Sequence, residues 1–350
     1  MPARIGFMYR RLRSLLLLAT GIPATGLAGF LWISSSFLIT PKHRDLEPRH
    51  REVMERPAEF GLQLEPFRVN ATDGIELAAL LATPASVPGK AEKTRRMAKL
   101  LGIEPESPPA LAGTVFLLHG RSGLKEDMLA VAERFVAAGY RCVVYDARCH
   151  GESGGECCTF GQAETVDFRS VLDRTLHLLQ QRGEKPGQLC AVGISLGASV
   201  LLQSLPDEPR LSAIVAVAPF ATLPEVVNHS ARRNLHSHIP LWLIAGTMHT
   251  SGYRAGFDPF RISPLLATGR TNCPIFFVHG ALDEVIPVDH THRLHAAATG
   301  PKKLRIIPNG NHGNVLARGG DALYREMIEF CLAASPAPDP GVPDDGPPSP

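Results

Sequence analysis

Residues 190–199 read CAVGISLGAS and decide the fold, because they join an apolar strand to a helix through one sharp turn. Side chains two positions before and two positions after Ser195 would collide in such a turn, which accounts for Gly193 and Gly197. The turn leaves Ser195 exposed at the head of a helix. This Gly-x-Ser-x-Gly spacing is typical of a nucleophile, and the alternative is a small-residue turn that packs a helix on a sheet.

The sequence around this turn predicts a mostly parallel sheet between layers of helices. Short continuous apolar runs, typical of strands buried on both faces, occupy residues 114–118, 141–145, 189–192, 213–217 and 275–278. Apolar residues at spacings of three and four predict helices over residues 124–138, 164–181 and 196–205. Residues 303–307 and 321–333 add a last strand and helix. The alternation indicates a doubly wound α/β sheet, whose ligands bind at the carboxyl ends of the strands.

The predicted domain, residues 64–334, opens with a hairpin. Residues 64–71 and 75–82 alternate between apolar and polar around Asp73-Gly74, a pair that favours a tight turn. We therefore expect two antiparallel strands before the parallel ones begin.

Two candidates for an acid and a base follow the last two strands. A serine hydroxyl is a weak nucleophile at neutral pH and needs a histidine base that a carboxylate orients. The chain order Ser, acid, His expected for this fold selects Asp283 and His312. Glu284 and Asp289 are close rivals for the acid.

The competing histidines fit the base less well than His312 does. His279 stands at a strand terminus, where we expect it to support the loop. A predicted surface helix carries three more, His290, His292 and His295.

A second loop is expected to help stabilise an oxyanion. Residues 115–123 read VFLLHGRSG, so the first parallel strand ends in a His-Gly loop. The backbone N–H of Arg121 is the expected donor there, opposite the N–H of Leu196. His119 is then structural. The guanidinium of Arg121 either reaches a substrate carboxylate or phosphate or stays solvated.

Composition excludes several classes of protein. The 350 residues carry a formal net charge of +2, which gives no electrostatic reason to expect a nucleic-acid partner. Seven cysteines without paired spacings indicate neither a disulfide framework nor a structural zinc site. Cys149, Cys157 and Cys158 share one predicted loop and either pair in an oxidising compartment or remain free thiols. No metal or organic cofactor is expected.

The chain before the domain predicts a membrane attachment. No charged residue occurs from 14 to 40, which is long enough to cross a bilayer, and a basic segment, residues 1–13, precedes it. We expect an uncleaved single-pass signal anchor; a cleaved signal and an apolar helix lying on the domain are the alternatives. Basic residues flank the stretch on both sides, and we favour an extracytoplasmic domain.

Three further segments are expected to be irregular. Residues 41–63 should form a linker between anchor and domain. Residues 85–113 should form an insertion with one short helix, and the Pro- and Asp-rich tail, residues 335–350, should be disordered.

Residues 145–155, which read YDARCHGESGG, complete a recognisable set of motifs. Together with the segments above, and with FDP at 257–259 and SPL at 263–265, they resemble the α/β-hydrolase superfamily from about Glu65 to Ala334. The branch it is most similar to contains serine aminopeptidases, prolyl-oligopeptidase-like enzymes and membrane-bound hydrolases. Cys149 departs from the pattern, since the family usually has glycine there.

The resemblance implies an activity and a set of roles. Ser195 is the implied nucleophile, Asp283 the acid and His312 the base, with the amides of Arg121 and Leu196 as oxyanion donors. It also implies a small cap, about residues 222–272, inserted before the acid strand.

The implied enzyme is a serine hydrolase that cleaves an ester or thioester of a small or lipid-like acyl group. A serine peptidase or aminopeptidase, and an inactive membrane-tethered binding protein, are the alternatives. The apolar run around Trp242 in the cap either lines an acyl pocket, contacts the membrane or packs on the sheet.

Overall fold

The structure is a computed structural model that describes residues 24–86, 91–104, 110–234 and 238–334. The expected basic segment 1–13 and the expected tail 335–350 lie outside these residues. So do residues 14–23, which form the first part of the expected membrane segment.

Eight strands form one sheet in the order β1-β2-β4-β3-β5-β6-β7-β8. The strands are β1 (Leu62–Asn70), β2 (Glu76–Pro84), β3 (Gly113–Leu118), β4 (Tyr140–Tyr145), β5 (Gln188–Ile194), β6 (Ala213–Val217), β7 (Ile275–Gly280) and β8 (Lys302–Ile307). The β1–β2 hairpin and the β2–β4 pair are antiparallel, and every other pair is parallel. The predicted doubly wound, mostly parallel α/β sheet is confirmed.

The continuous apolar runs are explained by two separate cores, one on each face of the sheet. In β7, Ile275 and Phe277 face one core, and Phe276 and Val278 face the other. Because both faces are covered, alternate positions of a central strand are all buried, and no polar side of the strand is left.

Eleven helices are found in the described part of the chain. They are α1 (Ala24–Ile39), α2 (Pro48–Glu55), α3 (Glu92–Leu100), α4 (Leu129–Phe135), α5 (Glu164–Gln181), α6 (Leu196–Ser204), α7 (Leu223–Asn234), α8 (Leu241–Ala255), α9 (Pro264–Thr268), α10 (Asp289–Ala297) and α11 (Val315–Ala333). Helices α5 and α6 pack on one face of the sheet, and α3, α4 and α11 pack on the other. Helices α7, α8 and α9 fall within the residues expected to form the cap.

The segment 41–63 differs from the linker that the sequence predicted. It contains helix α2, a short 3-10 helix at Pro57–Phe60 and the first two residues of β1. Val53 is buried in the core that α4 also contacts, and Arg49 pairs with the buried Glu133 at 2.6 Å. The segment therefore packs as part of the domain, because its few apolar residues are spaced to face one side of α2.

Helix α1 is the part of the expected membrane segment that the structure describes. It lies against α8: Phe30 packs among Leu243, Ile244 and Met248, and the hydroxyls of Ser34 and Thr247 are 2.9 Å apart. None of the described helices combines the length and the apolar character needed to cross a bilayer. The anchor over residues 14–40 stays a prediction.

Candidate active site

The carboxyl ends of the central strands meet at one edge of the sheet. Ile194 pairs with Val217, Val217 is the neighbour of Val278, and Gly280 pairs with Ile307. The residues that follow β5, β7 and β8 therefore emerge side by side, as expected for a ligand site in a doubly wound sheet.

Ser195 sits in a strained turn between β5 and α6. Its φ of 54° lies in the left-handed region, which is costly for a residue with a side chain. A Cβ at Gly193 would lie 2.5 Å from the amide nitrogen of Ala198, and a Cβ at Gly197 would lie 2.5 Å from the carbonyl oxygen of Leu118. Both glycines are therefore required by close backbone contacts: Gly193 by contacts within the turn, as the sequence predicted, and Gly197 by the end of β3, which the sequence did not indicate.

His312 joins Ser195 to Asp283. Its Nε2 lies 3.0 Å from Ser195 Oγ, and its Nδ1 lies 2.7 Å from Asp283 Oδ2. An ionised carboxylate accepts only, so Nδ1 carries the proton and Nε2 is free to accept the proton of the serine hydroxyl. The structure thus brings together the three side chains predicted from the sequence, in the order needed to activate a serine.

The loops of the acid and the base are held together by the backbone. Ala281 N–H donates to Ile307 O at 2.9 Å, and Leu282 N–H donates to Gly310 O at 2.8 Å. A Cβ at Gly280 would lie 2.4 Å from that same Gly310 oxygen, so only glycine permits this approach.

The carboxylate of Asp283 is buried, and both of its oxygens accept hydrogen bonds. Oδ1 accepts the N–H groups of Val285 and Ile286, both at 2.9 Å. Oδ2 lies 2.7 Å from His312 Nδ1 and 3.1 Å from His279 Nε2. Burial alone would raise the pKa of Asp283, but the hydrogen bonds from the two histidines and Ile286 outweigh it and hold the pKa well below its usual value.

His279 supports the acid directly, which is more than the loop-supporting role predicted for it. Its Nε2 contacts two acceptors, Asp283 Oδ2 and Ile286 O at 2.9 Å, so Nε2 carries the proton. Its Nδ1 is hydrogen-bonded to the hydroxyl of Thr291 at 2.6 Å. His279 is therefore a second side-chain donor to the carboxylate, in addition to the base.

The rival residues lie elsewhere. Glu284 is exposed and pairs with Arg233 at 3.2 Å, and Asp289 lies on α10, 3.8 Å from Arg293. His290 was expected on a surface helix, but it is buried.

The burial of His290 has a local cause. Its Nδ1 accepts the N–H of Ala221 at 3.0 Å, which draws the ring beneath the start of α7.

The loop after β3 is fixed by His119. Ala147 N–H donates to His119 Nε2 at 3.0 Å, so Nδ1 carries the proton and donates to Gly120 O at 2.8 Å. Gly123 N–H donates to the same oxygen at 2.9 Å. In a trans peptide the N–H points opposite to the C=O, so these bonds also fix the direction of the Arg121 N–H. The structural role predicted for His119 matches this arrangement.

The same loop lies against the candidate nucleophile. A Cβ at Gly120 would stand 3.3 Å from Ser195 Cβ and 3.9 Å from Ser195 Oγ. Leu196 is the first residue of α6, where a backbone N–H has no partner within the helix. The two predicted oxyanion donors therefore belong to the two segments that flank Ser195.

His150 and Cys149 complete the support of this loop. Ser122 N–H donates to His150 Nε2 at 3.1 Å, and His150 Nδ1 donates to Arg148 O at 2.8 Å. Cys149, which stands where the family usually has glycine, takes a φ of 57°. Cys149 thus adopts the left-handed backbone conformation that glycine adopts most easily, which explains the usual glycine. The conformation is sterically unfavourable for cysteine, and the hydrogen bonds of the surrounding turn maintain it.

The side chain of Arg121 is exposed at the cavity, and its guanidinium binds backbone carbonyls of α1, a contact that the sequence did not predict. Its Nη2 donates to Phe37 O at 2.6 Å and to Leu38 O at 3.0 Å. These carbonyls belong to the last turn of α1, where no further helical N–H is available to them. Arg121 therefore caps the C-terminal end of α1.

A cavity of about 450 Å³ opens above Ser195 and His312. Its walls are mostly apolar and come mainly from α1, from the loop at Phe160, from the length of α7 together with α8, and from the loop at Val285. A volume of this size is typical of a site for a small organic ligand. The described residues that line it include no Asp and no Glu.

All seven cysteines are free thiols, so the loop that contains Cys149, Cys157 and Cys158 is not cross-linked. Over the described ranges, no cluster of His, Cys, Asp and Glu has the composition of a metal site.

The fold has many known counterparts. The esterase Pf2001 of Pyrococcus furiosus superposes with a TM-score of 0.61 at 17% identity, over 85% of this chain and 98% of that one. The chain has the α/β-hydrolase fold. An acylaminoacyl peptidase of Pyrococcus horikoshii shares this fold with a TM-score of 0.57 at 16% identity, over 83% of this chain and 44% of that longer one.

Sequence comparisons support the α/β-hydrolase superfamily and a hydrolase. The family model described as serine aminopeptidase, S33 matches residues 109–254, which include Ser195 but end before Asp283 and His312. The uncharacterized protein YqkD of Bacillus subtilis is 27% identical over 231 residues, 65% of this chain and 73% of that one.

The sequence did not predict that α1 contributes residues to the wall of the cavity. Phe30, Ser34 and Phe37 line the cavity, although they belong to the stretch interpreted as an anchor. Three consecutive serines, Ser34 to Ser36, are the signal that could have indicated it, because hydroxyls in an apolar helix favour contact with protein over lipid.

Proposed function

We propose that this protein is a serine hydrolase that cleaves an ester or thioester of an apolar acyl group through an acyl-enzyme on Ser195. The observation that carries the proposal is the relay from Ser195 Oγ through His312 to Asp283, at 3.0 and 2.7 Å, at the floor of an apolar cavity. The likeness to the Pyrococcus furiosus esterase supports it at the level of the fold.

The acylation step uses the relay in one direction. Ser195 Oγ attacks the carbonyl carbon while His312 Nε2 takes the hydroxyl proton, and Asp283 stabilises the resulting imidazolium. The carbonyl oxygen becomes an oxyanion that accepts hydrogen bonds from the amides of Leu196 and Arg121. When the tetrahedral species collapses, His312 returns its proton to the leaving alcohol or thiol.

The deacylation step uses the same groups again. Water replaces the leaving group, His312 Nε2 takes a proton from it, and the hydroxide attacks the acyl carbon. The second oxyanion collapses with release of the acid, and the proton goes back to Ser195 Oγ. Atoms and charge balance with the ester and one water molecule as the reactants, and the chain supplies the nucleophile, the base and the oxyanion donors.

The lining of the cavity favours an ester over a peptide with a free amino terminus. An aminopeptidase has to bind a substrate ammonium group, and a carboxylate usually supplies that contact. The described lining residues contain hydroxyls at Ser34, Ser230 and Thr247 but no carboxylate. An apolar acyl chain meets no such requirement.

The nucleophile is tested with a fluorophosphonate probe. The full chain should be labelled once per molecule, and Ser195→Ala should lose the label together with ester turnover, by about 10⁴-fold or more in kcat. Label that persists in Ser195→Ala would reject the assignment. Ser204→Ala on α6 is a matched control, because Ser204 is buried and its hydroxyl bonds only to Val200 O at 2.9 Å.

Peptidase activity is the second candidate, because the matching family model is described as a serine aminopeptidase. Turnover of p-nitrophenyl esters from acetyl to palmitoyl is compared with turnover of aminoacyl p-nitroanilides. Preference for the anilides would move the protein to the peptidases. A chain that is not labelled and turns over neither series would be a binding protein with an inactive site.

A further inference from the structure

Helix α1 forms one wall of the cavity in which the reaction is proposed to occur. Phe30, Ser34 and Phe37 are one turn apart along α1, so they form a stripe on a single side of the helix. Leu243 and Thr247 of α8, which packs directly against α1, continue this wall on the cap side. An acyl chain attached to Ser195 would extend along this wall.

The wall is fixed in place by polar contacts at its last turns. Nη1 of Arg254 donates to Trp32 O, to Ser35 Oγ and to Ser36 Oγ, each at 2.7 Å. Its guanidinium also lies over the ring of Trp32, 4.3 Å from the centroid. Charge-assisted bonds of this kind are among the stronger ones in proteins, so Arg254 fixes the position of α1 against the cap.

The central part of α1 also approaches α8 closely. A Cβ at Gly246 would lie 3.2 Å from Leu31 Cδ2, so the glycine brings the two helices together. Next to it, the hydroxyls of Ser34 and Thr247 bond at 2.9 Å. Ser34 is therefore a small side chain on the cavity surface at the contact between α1 and α8, where a larger side chain would project into the cavity.

We propose that α1 is the specificity element of this hydrolase, with Ser34 and Phe37 limiting the length and bulk of the acyl group. This inference rests on the proposed function of Ser195. Each methylene that enters an apolar wall contributes to binding until the space is full, which corresponds to about a fourfold rise in kcat/KM per methylene. Beyond that length, the rise stops.

The first test measures kcat/KM of the full-length chain on p-nitrophenyl esters from acetyl to palmitoyl. Ser34→Phe fills the cavity next to α8, so the optimum should move to shorter chains. The longest ester turned over by the wild type should fall about tenfold or more relative to acetyl, the equivalent of losing roughly two methylenes of contact. An unchanged optimum in fully labelled Ser34→Phe would overturn the proposal.

Two matched variants separate volume from other effects. Ser34→Ala removes the bond to Thr247 but adds no bulk, so it should keep the wild-type optimum. Ile33→Phe adds an aromatic ring one residue away, on a side chain that is exposed and lies outside the cavity, and should also keep it. A shift of equal size in the optimal chain length of Ile33→Phe would mean that bulk anywhere on α1 changes the optimum indirectly, by disturbing the fold, and would count against the role of Ser34.

The converse variant keeps the test valid if Ser34→Phe does not fold. Phe37 is partly exposed, so Phe37→Ala should be tolerated and should widen the cavity. Its optimum should move to longer or bulkier acyl groups, and an unchanged profile would count against the role of α1. The rate of each variant is divided by the fraction of molecules that the fluorophosphonate labels. A wild type that is neither labelled nor active would reject the proposed function of Ser195, and this outcome is distinguishable from a failure of the proposal for α1.

Discussion

Asp283 lies between two histidines that donate to the same oxygen. Its Oδ2 receives His312 on one side and His279 on the other, and its Oδ1 receives two backbone N–H groups. A carboxylate satisfied in this way cannot rotate without losing several hydrogen bonds, so the imidazole of His312 is held in one tautomer and one orientation.

Asp283→Asn should lower kcat by about 10⁴-fold. The amide keeps the shape of the carboxylate, but its NH₂ group cannot accept the Nδ1 proton, so His312 is held in the wrong tautomer. Ester kinetics measure the loss, and a denaturant midpoint confirms that the variant folds. Glu284→Gln is the control, because this neighbouring carboxylate is exposed; a kcat loss there equal to that of Asp283→Asn would transfer the acid role to Glu284.

His150 should make stability depend on pH. Burial first, and then the neighbouring His119, lower the pKa of His150 to about 4. The unfolded chain binds this proton below about pH 6.5, whereas the folded chain binds it only near pH 4, so the free energy of unfolding falls as pH drops through that window.

For one such histidine, the free energy of unfolding changes with pH by at most about 1.4 kcal/mol per pH unit. Urea unfolding between pH 7 and pH 4.5 measures it, with His150→Gln as the comparison. The variant should be less stable at pH 7, because its amide replaces the ring poorly between Ser122 and Arg148, but it should lose less stability on acidification. Equal slopes in both proteins would contradict this explanation.

At the scale of the elements, α1 and the loop after β3 are joined by a single side chain. Arg121 donates its guanidinium to the carbonyls that end α1, and its own peptide carries the N–H proposed for the oxyanion. The N–H of Lys42, just beyond α1, donates to Ser122 in the same loop at 3.0 Å. Displacement of α1 would therefore disturb the site as well as its wall.

Arg121→Ala should release α1 while leaving the backbone N–H at position 121 in place. Loss of hydrogen bonds from a charged group costs about 1.5–3 kcal/mol, so α1 should detach about tenfold or more often. Limited proteolysis of the segment between α1 and α2 measures this as faster cleavage. Arg51→Ala removes an exposed arginine from α2 and should not change the rate; an unchanged rate in Arg121→Ala would show that the contacts of α1 with α8 hold it without Arg121.

The elements that the sequence predicted well are those whose pattern depends on local burial. The runs 114–118 and 275–278 are apolar at every position because cores lie on both faces, and the positions of Ser195, Asp283 and His312 follow from strand order. The stretch that contains α1 was interpreted as a membrane anchor, because an uncharged apolar stretch has the same composition whether lipid or the cap of the protein covers it. The partners of α1, Arg121 and Arg254, are distant in the sequence, and the motif that contains Arg121 indicates a role for its backbone but not the contact of its side chain with α1.

At the scale of the whole molecule, both tryptophans of the chain lie on the α1–α8 pair. Trp32 is 53% exposed and Trp242 is 58% exposed, and the chain contains no others. Large exposed apolar groups next to a site mark a contact surface. The membrane partner predicted from the sequence would meet the protein at this surface.

Tryptophan emission therefore reports on that surface alone. If a bilayer covers it, phosphatidylcholine vesicles should shift the emission of the full chain to the blue, and brominated lipids should quench it. Trp32→Phe and Trp242→Phe assign the signal to α1 or α8. Co-sedimentation with vesicles without any spectral change would place the membrane contact outside this helix pair.

The bonds between Arg254 and α1 also impose an order on biosynthesis. Arg254 and Trp32 are separated by 222 positions in the chain. At 5–20 residues per second, the ribosome needs roughly 10 to 45 seconds to produce the partner after α1 has been made. During that interval the apolar stripe of α1 has no α8 to cover it, so this wall of the pocket, although synthesised early, cannot be fixed in place until Arg254 has been made.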